Sequence, residues 1–175
     1  VAEPEQLLAA IRHAGAVFCG SAEFEGFASG RMDGAWERVR DVQVLGIDFS
    51  VQPEFLDKIV GTLNAVNDLH FRCDLFGVVD DDPPVLVLYR PGQGHYGWHP
   101  DAATTSPLRK LTFTLQLSEA DSYEGGDLEV QGFGPTKREA GSMTIFPSFF
   151  WHRVTPVTAG ERLALVGWMH GPSFR

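Results

Sequence analysis

Residues 111–117 alternate without a break. Leu111, Phe113, Leu115 and Leu117 fall on one side, and Thr112, Thr114 and Gln116 on the other. A period of two over seven residues is a strand signature, because successive side chains leave a strand on opposite faces. The apolar side must be covered by a second layer, and the polar side faces something other than a packed hydrocarbon core. Further short runs follow the same pattern. Strands are expected at 85–90, 127–131, 143–146, 152–157 and 162–170. Turns are expected at Tyr123-Glu124-Gly125-Gly126, at Gly141-Ser142 and at Thr158-Ala159-Gly160. The period differs earlier in the chain. Leu7, Leu8, Ile11 and Ala14 form a helical stripe over residues 3–15. Phe55, Leu56, Ile59, Val60, Leu63 and Val66 form another, in a helix expected to open at Pro53 and end near Leu69. Between these helices, residues 42–45 read as a strand. Helices first and many short strands afterwards predict a mainly β domain with flanking helices.

Composition narrows the function classes. At 175 residues and 43% hydrophobic, the chain fits one domain with a full core, expected over 1–175. The net charge of -9 disfavours nucleic-acid partners. No apolar stretch is long enough to span a bilayer, and there is no basic-then-apolar leader. The expected partners are therefore a peptide, protein or small-molecule substrate, with no membrane and a cytoplasmic location. Two distant cysteines, Cys19 and Cys73, fit neither a disulfide scaffold nor Cys-ligated zinc.

Six histidines are present. His13 and His70 fall at helix ends and His170 ends a strand, positions that need no special chemistry. His99-Pro100-Asp101 is different. Residues i and i+2 of an extended segment point to the same side, so one imidazole and one carboxylate can reach one ion. A second imidazole, His152, opens a later strand. Two His and one carboxylate leave coordination positions open, which suits non-haem Fe(II) better than a closed structural zinc site. Arg162 opens the strand 162–170, whose two faces are both apolar. A guanidinium there either sits at the strand edge in water or needs an anion, for which an organic diacid would serve.

These residues together resemble the Fe(II)- and 2-oxoglutarate-dependent oxygenases, in the prolyl 4-hydroxylase-like branch that includes the PKHD-type hydroxylases. The likeness runs through Tyr89-Arg90-Pro91-Gly92, Tyr96-Gly97-Trp98-His99-Pro100-Asp101 and Leu111-Thr112-Phe113-Thr114-Leu115-Gln116-Leu117-Ser118. It continues through Tyr123-Glu124-Gly125-Gly126-Asp127-Leu128, Gly141-Ser142-Met143-Thr144-Ile145-Phe146-Pro147-Ser148, His152-Arg153-Val154-Thr155-Pro156-Val157-Thr158 and Gly160-Glu161-Arg162. It covers the motif-bearing segment 85–175 and leaves 1–84 as supporting helices and strands. The resemblance implies a double-stranded β-helix, a jelly-roll, cupin-like fold. It implies that His99, Asp101 and His152 bind the metal and that Arg162 holds the distal carboxylate of 2-oxoglutarate. Tyr89, Thr112 and Gln116 line the same cosubstrate pocket, or else fill the barrel. His95, Tyr96, Trp98 and Trp151 are candidates for the substrate rim, as is the loop 102–107. Arg153 should point away from His152 by alternation.

The implied chemistry is oxidation of 2-oxoglutarate by O2 to succinate and CO2, coupled to hydroxylation of a substrate C–H bond, with ascorbate as a supporting reductant. The substrate is a prolyl or other residue in a protein or peptide. One alternative is a free amino acid or small metabolite; another, of a different class, is a cupin-like protein that binds a metal or ligand without catalysis.

Overall fold

The computed structural model describes residues 40–46, 53–92, 94–103 and 106–173. The helix expected at 3–15, together with His13 and Cys19, lies outside them. The helix α1, Pro53–Val66, begins at the predicted proline and carries Glu54 in its first turn. It passes into a π-helical turn, Asn67–Phe71, which ends where Arg72 adopts a left-handed conformation. Asn67 fixes the exit: its side-chain amide donates to the Cys73 carbonyl at 3.0 Å and accepts from the Cys73 N–H at 2.9 Å.

Twelve strands follow in chain order among the described residues: β1 Arg40–Asp41, β2 Gln43–Gly46, β3 Val85–Tyr89, β4 His95–His99, β5 Arg109–Gln116, β6 Tyr123–Gly125, β7 Leu128–Val130, β8 Gly134–Pro135, β9 Met143–Pro147, β10 His152–Val154, β11 Val157–Gly160 and β12 Arg162–His170. They form two five-stranded sheets, β2-β3-β12-β5-β9 and β1-β4-β10-β7-β8, and a two-stranded ribbon β11-β6. Every pairing is antiparallel. Two facing sheets of this order make the double-stranded β-helix. No helix of the described residues is long and apolar enough to cross a membrane.

The large sheet is covered on both faces. Leu111, Phe113 and Leu115 of β5, with Leu117 just beyond its end, join Leu165 and Met169 of β12 under Ile59 and Leu63 of α1. Burying each such side chain contributes about 1.5–3 kcal/mol. Gly167 has no side chain for a steric reason: a Cβ there would lie 2.7 Å from the Phe113 ring. The opposite face closes on the small sheet, where Val87, Tyr89 and Phe146 meet Leu128, Val130, Val154 and Val157. The alternation in 111–117 therefore sorts residues correctly, apolar side to the helix and Thr112, Thr114 and Gln116 to the interior between the sheets.

Two local expectations need correction. Thr158-Ala159-Gly160 is paired strand rather than turn, and residues 123–125 of the other expected turn are its partner. The strand expected at 152–157 is broken at Thr155-Pro156, where proline has no N–H to give the ladder.

Candidate metal centre and cosubstrate site

His99 ends β4 and His152 opens β10, and the two are direct partners across the small sheet. Asp101 follows in a bend whose backbone is pinned to the turn before His152. The N–H groups of Asp101 and Ala102 both donate to the Ser148 carbonyl at 2.8 Å. Main-chain bonds thus tie the segment carrying two of the candidate ligands to the segment carrying the third. The nearest ligand atoms of His99, Asp101 and His152 all lie within 4.8 Å of one another.

The donor set fits a divalent cation. Nδ1 of His99 donates to the Gly97 carbonyl at 2.7 Å, and Nδ1 of His152 donates to the Phe150 carbonyl at 3.0 Å. Carbonyls only accept, so these bonds place the ring proton on Nδ1 and leave each Nε2 with a lone pair. Both lone pairs face the Asp101 carboxylate, at 3.8 Å from Oδ1 and 3.4 Å from Oδ2. These separations exceed a normal hydrogen bond, which is about 2.7–3.2 Å. Two lone pairs and a carboxylate converging in a buried place repel one another unless a cation sits among them. The carbonyl contacts at Nδ1 are the kind of outer support that metal-bound imidazoles use.

Asp101 is held as well. Thr112 Oγ1 donates to Asp101 Oδ2 at 2.7 Å and shares a 3.0 Å bond with the hydroxyl of Ser148, which is fully buried. The hydroxyl of Thr112, one of the expected cosubstrate contacts, is therefore directed at the carboxylate ligand. The sequence reading passed over Ser148; it sits in a Pro-Ser turn with no charge or spacing to mark it.

Arg162 is 2% exposed, which removes the reading of a strand edge in water. Its guanidinium lies 4.9 Å from the centre of the Tyr89 ring, its partner across β3 and β12. Among the described residues no carboxylate is within ion-pair distance of it. Gly126 makes room for it, with a backbone φ of +64° and a Cβ position 3.1 Å from the Arg162 side chain and 3.3 Å from Tyr123. Gln116 is buried nearby on the same interior face and donates to the Tyr123 hydroxyl at 3.0 Å. Tyr123, which the sequence marks only as part of a turn motif, thus joins this interior face through Gln116. Ala164 and Val166 line β12 between Arg162 and Trp168, the latter paired with Thr112.

The rim candidates separate. Tyr96 stacks on His99 with ring centres 3.4 Å apart. A register shift explains this: three residues of β10, 152 to 154, oppose four of β4, 99 to 96, so Tyr96 and His99 share a face. Trp98 is on the other face, 40% exposed, under the guanidinium of Arg153, which pairs with Glu129 at 2.8 Å. Arg153 points away from His152 as alternation requires, and Trp98 is not brought to the ligands. His95 starts β4 opposite Asp41 and is outside the metal cluster. Trp151, next to His152, is 49% exposed. Of the loop 102–107, residues 104 and 105 fall outside the described set.

Residues 85–170 match the family model of the 2OG-Fe(II) oxygenase superfamily. This segment belongs to that superfamily. PKHD-type hydroxylases are similar over the same region: that of Hyphomonas neptunium is 45% identical over 95 residues, and that of Parvibaculum lavamentivorans 48% over 89. These alignments take in 50% and 48% of this chain but 42% and 41% of the relatives, so the chain spans less than half the length of the curated relatives it matches. The fold extends the likeness. A prolyl-4-hydroxylase of Pseudomonas putida aligns over 97% of this chain and 86% of its own, with a TM-score of 0.69 at 24% identity. A prolyl hydroxylase of Trichoplax adhaerens, solved with a hypoxia inducible factor peptide fragment, aligns over 94% and 75%, with a TM-score of 0.67 at 17% identity. 2OG-Fe(II) oxygenases use Fe(II), 2-oxoglutarate and O2; the donor set fits the metal and the buried guanidinium fits the diacid.

Proposed function

We propose that this chain is the catalytic core of an Fe(II)- and 2-oxoglutarate-dependent hydroxylase acting on a prolyl or other residue of a peptide or protein. One observation carries the reading: a His-Asp-His cluster with both Nε2 lone pairs directed inward shares its β-helix interior with a buried guanidinium that has no carboxylate partner among the described residues. When bound, Fe(II) with 2-oxoglutarate and O2 supplies C–H hydroxylation, the diacid being oxidised to succinate and CO2. His99, Asp101 and His152 hold the metal. Arg162 anchors the far carboxylate of the diacid by its two-pronged donor edge, with the Tyr89 ring against it. Thr112 and Ser148 keep Asp101 aimed.

Arg162 also weighs against a non-catalytic metal or ligand binder, which has no use for a diacid clamp. A peptide-sized substrate, rather than a free amino acid or small metabolite, is supported by the open aromatic surface beside His152. Phe149 and Trp151 are about half exposed, and Phe133 stacks on Phe150, whose carbonyl holds His152. The names of the PKHD-type and prolyl hydroxylase relatives point the same way. The test is succinate formation from 2-oxoglutarate with Fe(II) and ascorbate, followed by mass spectrometry for the gain of one oxygen atom on proline-containing peptides and on free amino acids. Absence of both succinate formation and 2-oxoglutarate binding by the iron-loaded protein refutes the reading. Oxygen gain on free amino acids alone moves it to the metabolite class.

A further inference from the structure

We infer that Arg109 is a positioning residue for Asp101, the last link of a partly buried chain His170–Asp82–Arg109–Asp101 that braces the metal site from the large sheet. The inference rests on the metal reading above. Arg109 opens β5, and a register shift between Met169 and His170 sets it opposite His170 at the far end of β12. Its guanidinium makes a forked pair with Asp82, Nε to Oδ2 and Nη2 to Oδ1, both at 2.7 Å. Asp82 is fixed in turn by Nε2 of His170 at 2.9 Å. The guanidinium plane lies over Trp168, 3.4 Å from the ring centre. The remaining nitrogen, Nη1, lies 4.0 Å from Asp101 Oδ1.

The two oxygens of Asp101 are therefore held by different groups, Oδ2 by the Thr112 hydroxyl and Oδ1 by the Arg109 charge. The carboxylate has little freedom to turn away from the histidines. The forked pair with Asp82 fixes where the guanidinium sits, so Nη1 faces Oδ1 from outside hydrogen-bond distance. A planar guanidinium can serve Asp82 with one edge and face Asp101 with the other nitrogen. An ammonium is a single point and cannot do both.

The test uses Co(II), whose visible absorption reports ligand geometry, titrated into the full chain. Arg109→Lys keeps the charge and loses the fork; binding is expected to weaken about tenfold, the lower end of what outer partners of metal ligands cost, with a changed Co(II) band. Asp82→Asn frees the same guanidinium and is expected to weaken binding similarly. The double variant should be no weaker than the weaker single one, because both act through one path. Leu86→Ala, in the core under α1, is the stability control and should bind Co(II) like the parent. Parent-like affinity and spectrum in Arg109→Lys, additive losses in the double variant, or equal loss in Leu86→Ala would each overturn the inference. Failure of the parent to bind Co(II) removes the metal reading and this inference together. A parent that binds Co(II) but never turns over 2-oxoglutarate removes the hydroxylase reading alone, and the Arg109 result stands.

Discussion

The two sheets are built differently. The large sheet has long strands, eight residues in β5 and nine in β12, and is covered on both faces. The small sheet has strands of two to five residues and an outer face that leaves Trp98 and Arg153 partly in water. Yet the small sheet carries both imidazoles of the candidate metal site, whereas the large sheet carries Arg162, Tyr89, Thr112 and Gln116. The division has a physical sense. The short strands, pinned by loop bonds to Ser148 and bent by the β4 bulge, set three ligand atoms by local geometry. The large sheet supplies stiffness and a dry interior in which a buried guanidinium can select an anion.

The strongest way to break this division is at the small sheet. His152→Ala or Asp101→Ala should take succinate formation to background and lose more metal affinity than the about 10- to 100-fold typical of outer partners, while urea unfolding stays cooperative. Retained Co(II) binding in either variant would move the metal elsewhere. At the large sheet, Phe113→Ala removes a fully buried ring. It should destabilise by about 3–5 kcal/mol, read as an earlier urea midpoint, with metal affinity per folded molecule unchanged. Arg162→Ala should weaken 2-oxoglutarate binding by at least about 30-fold, from the roughly 2–5 kcal/mol lost when one partner of a buried charge pair is cut away. Equilibrium dialysis against the metal-loaded protein measures it, and Co(II) binding should survive. Ser148→Ala should matter less. It keeps the main-chain clamp on Asp101 and loses one hydroxyl bond, about 0.5–1.5 kcal/mol, or a few-fold in metal affinity.

The same contrast governs what could be read from the sequence. Regular periodicity announces the large sheet: the alternation in 111–117 assigned each face of β5, and the span 162–170 of β12 came out with its bounds intact. The clustering of His99, Asp101 and His152 was legible because ligand chemistry restricts the residue types. The small sheet was less legible. Its strands are too short to establish a period, and the bulge that brings Tyr96 onto the His99 face breaks the alternation, while Trp98, a rim candidate only for its place beside His99, takes the other face. Ser148, Tyr123 and Arg109 carry no local signal, because each acts through a partner far along the chain. His170, which looked unremarkable at a strand end, is nearly fully buried against Asp82, and only the fold brings the two together.

The smallest effect expected concerns Asp82. Burial by itself would raise its carboxyl, but hydrogen bonds from Arg109 and His170, with their charges, outweigh burial and hold it below the ordinary carboxylate value. A group whose folded value is depressed stabilises the protein above its unfolded value, about 3.9 for aspartate, and that stability is lost as pH falls through the folded value. The urea midpoints of the parent and Asp82→Asn should therefore differ above about pH 5, and converge as pH falls below about 4 through the folded value. Asp82 is partly open to solvent, so screening keeps the gap modest. The convergence sharpens the contrast between the sheets, since it would show a charge pair stabilising the end of the large sheet in the pH range where hydroxylation is assayed. A gap that persists unchanged into strong acid, or that opens as pH falls, would mean that Asp82 is not held as its partners imply.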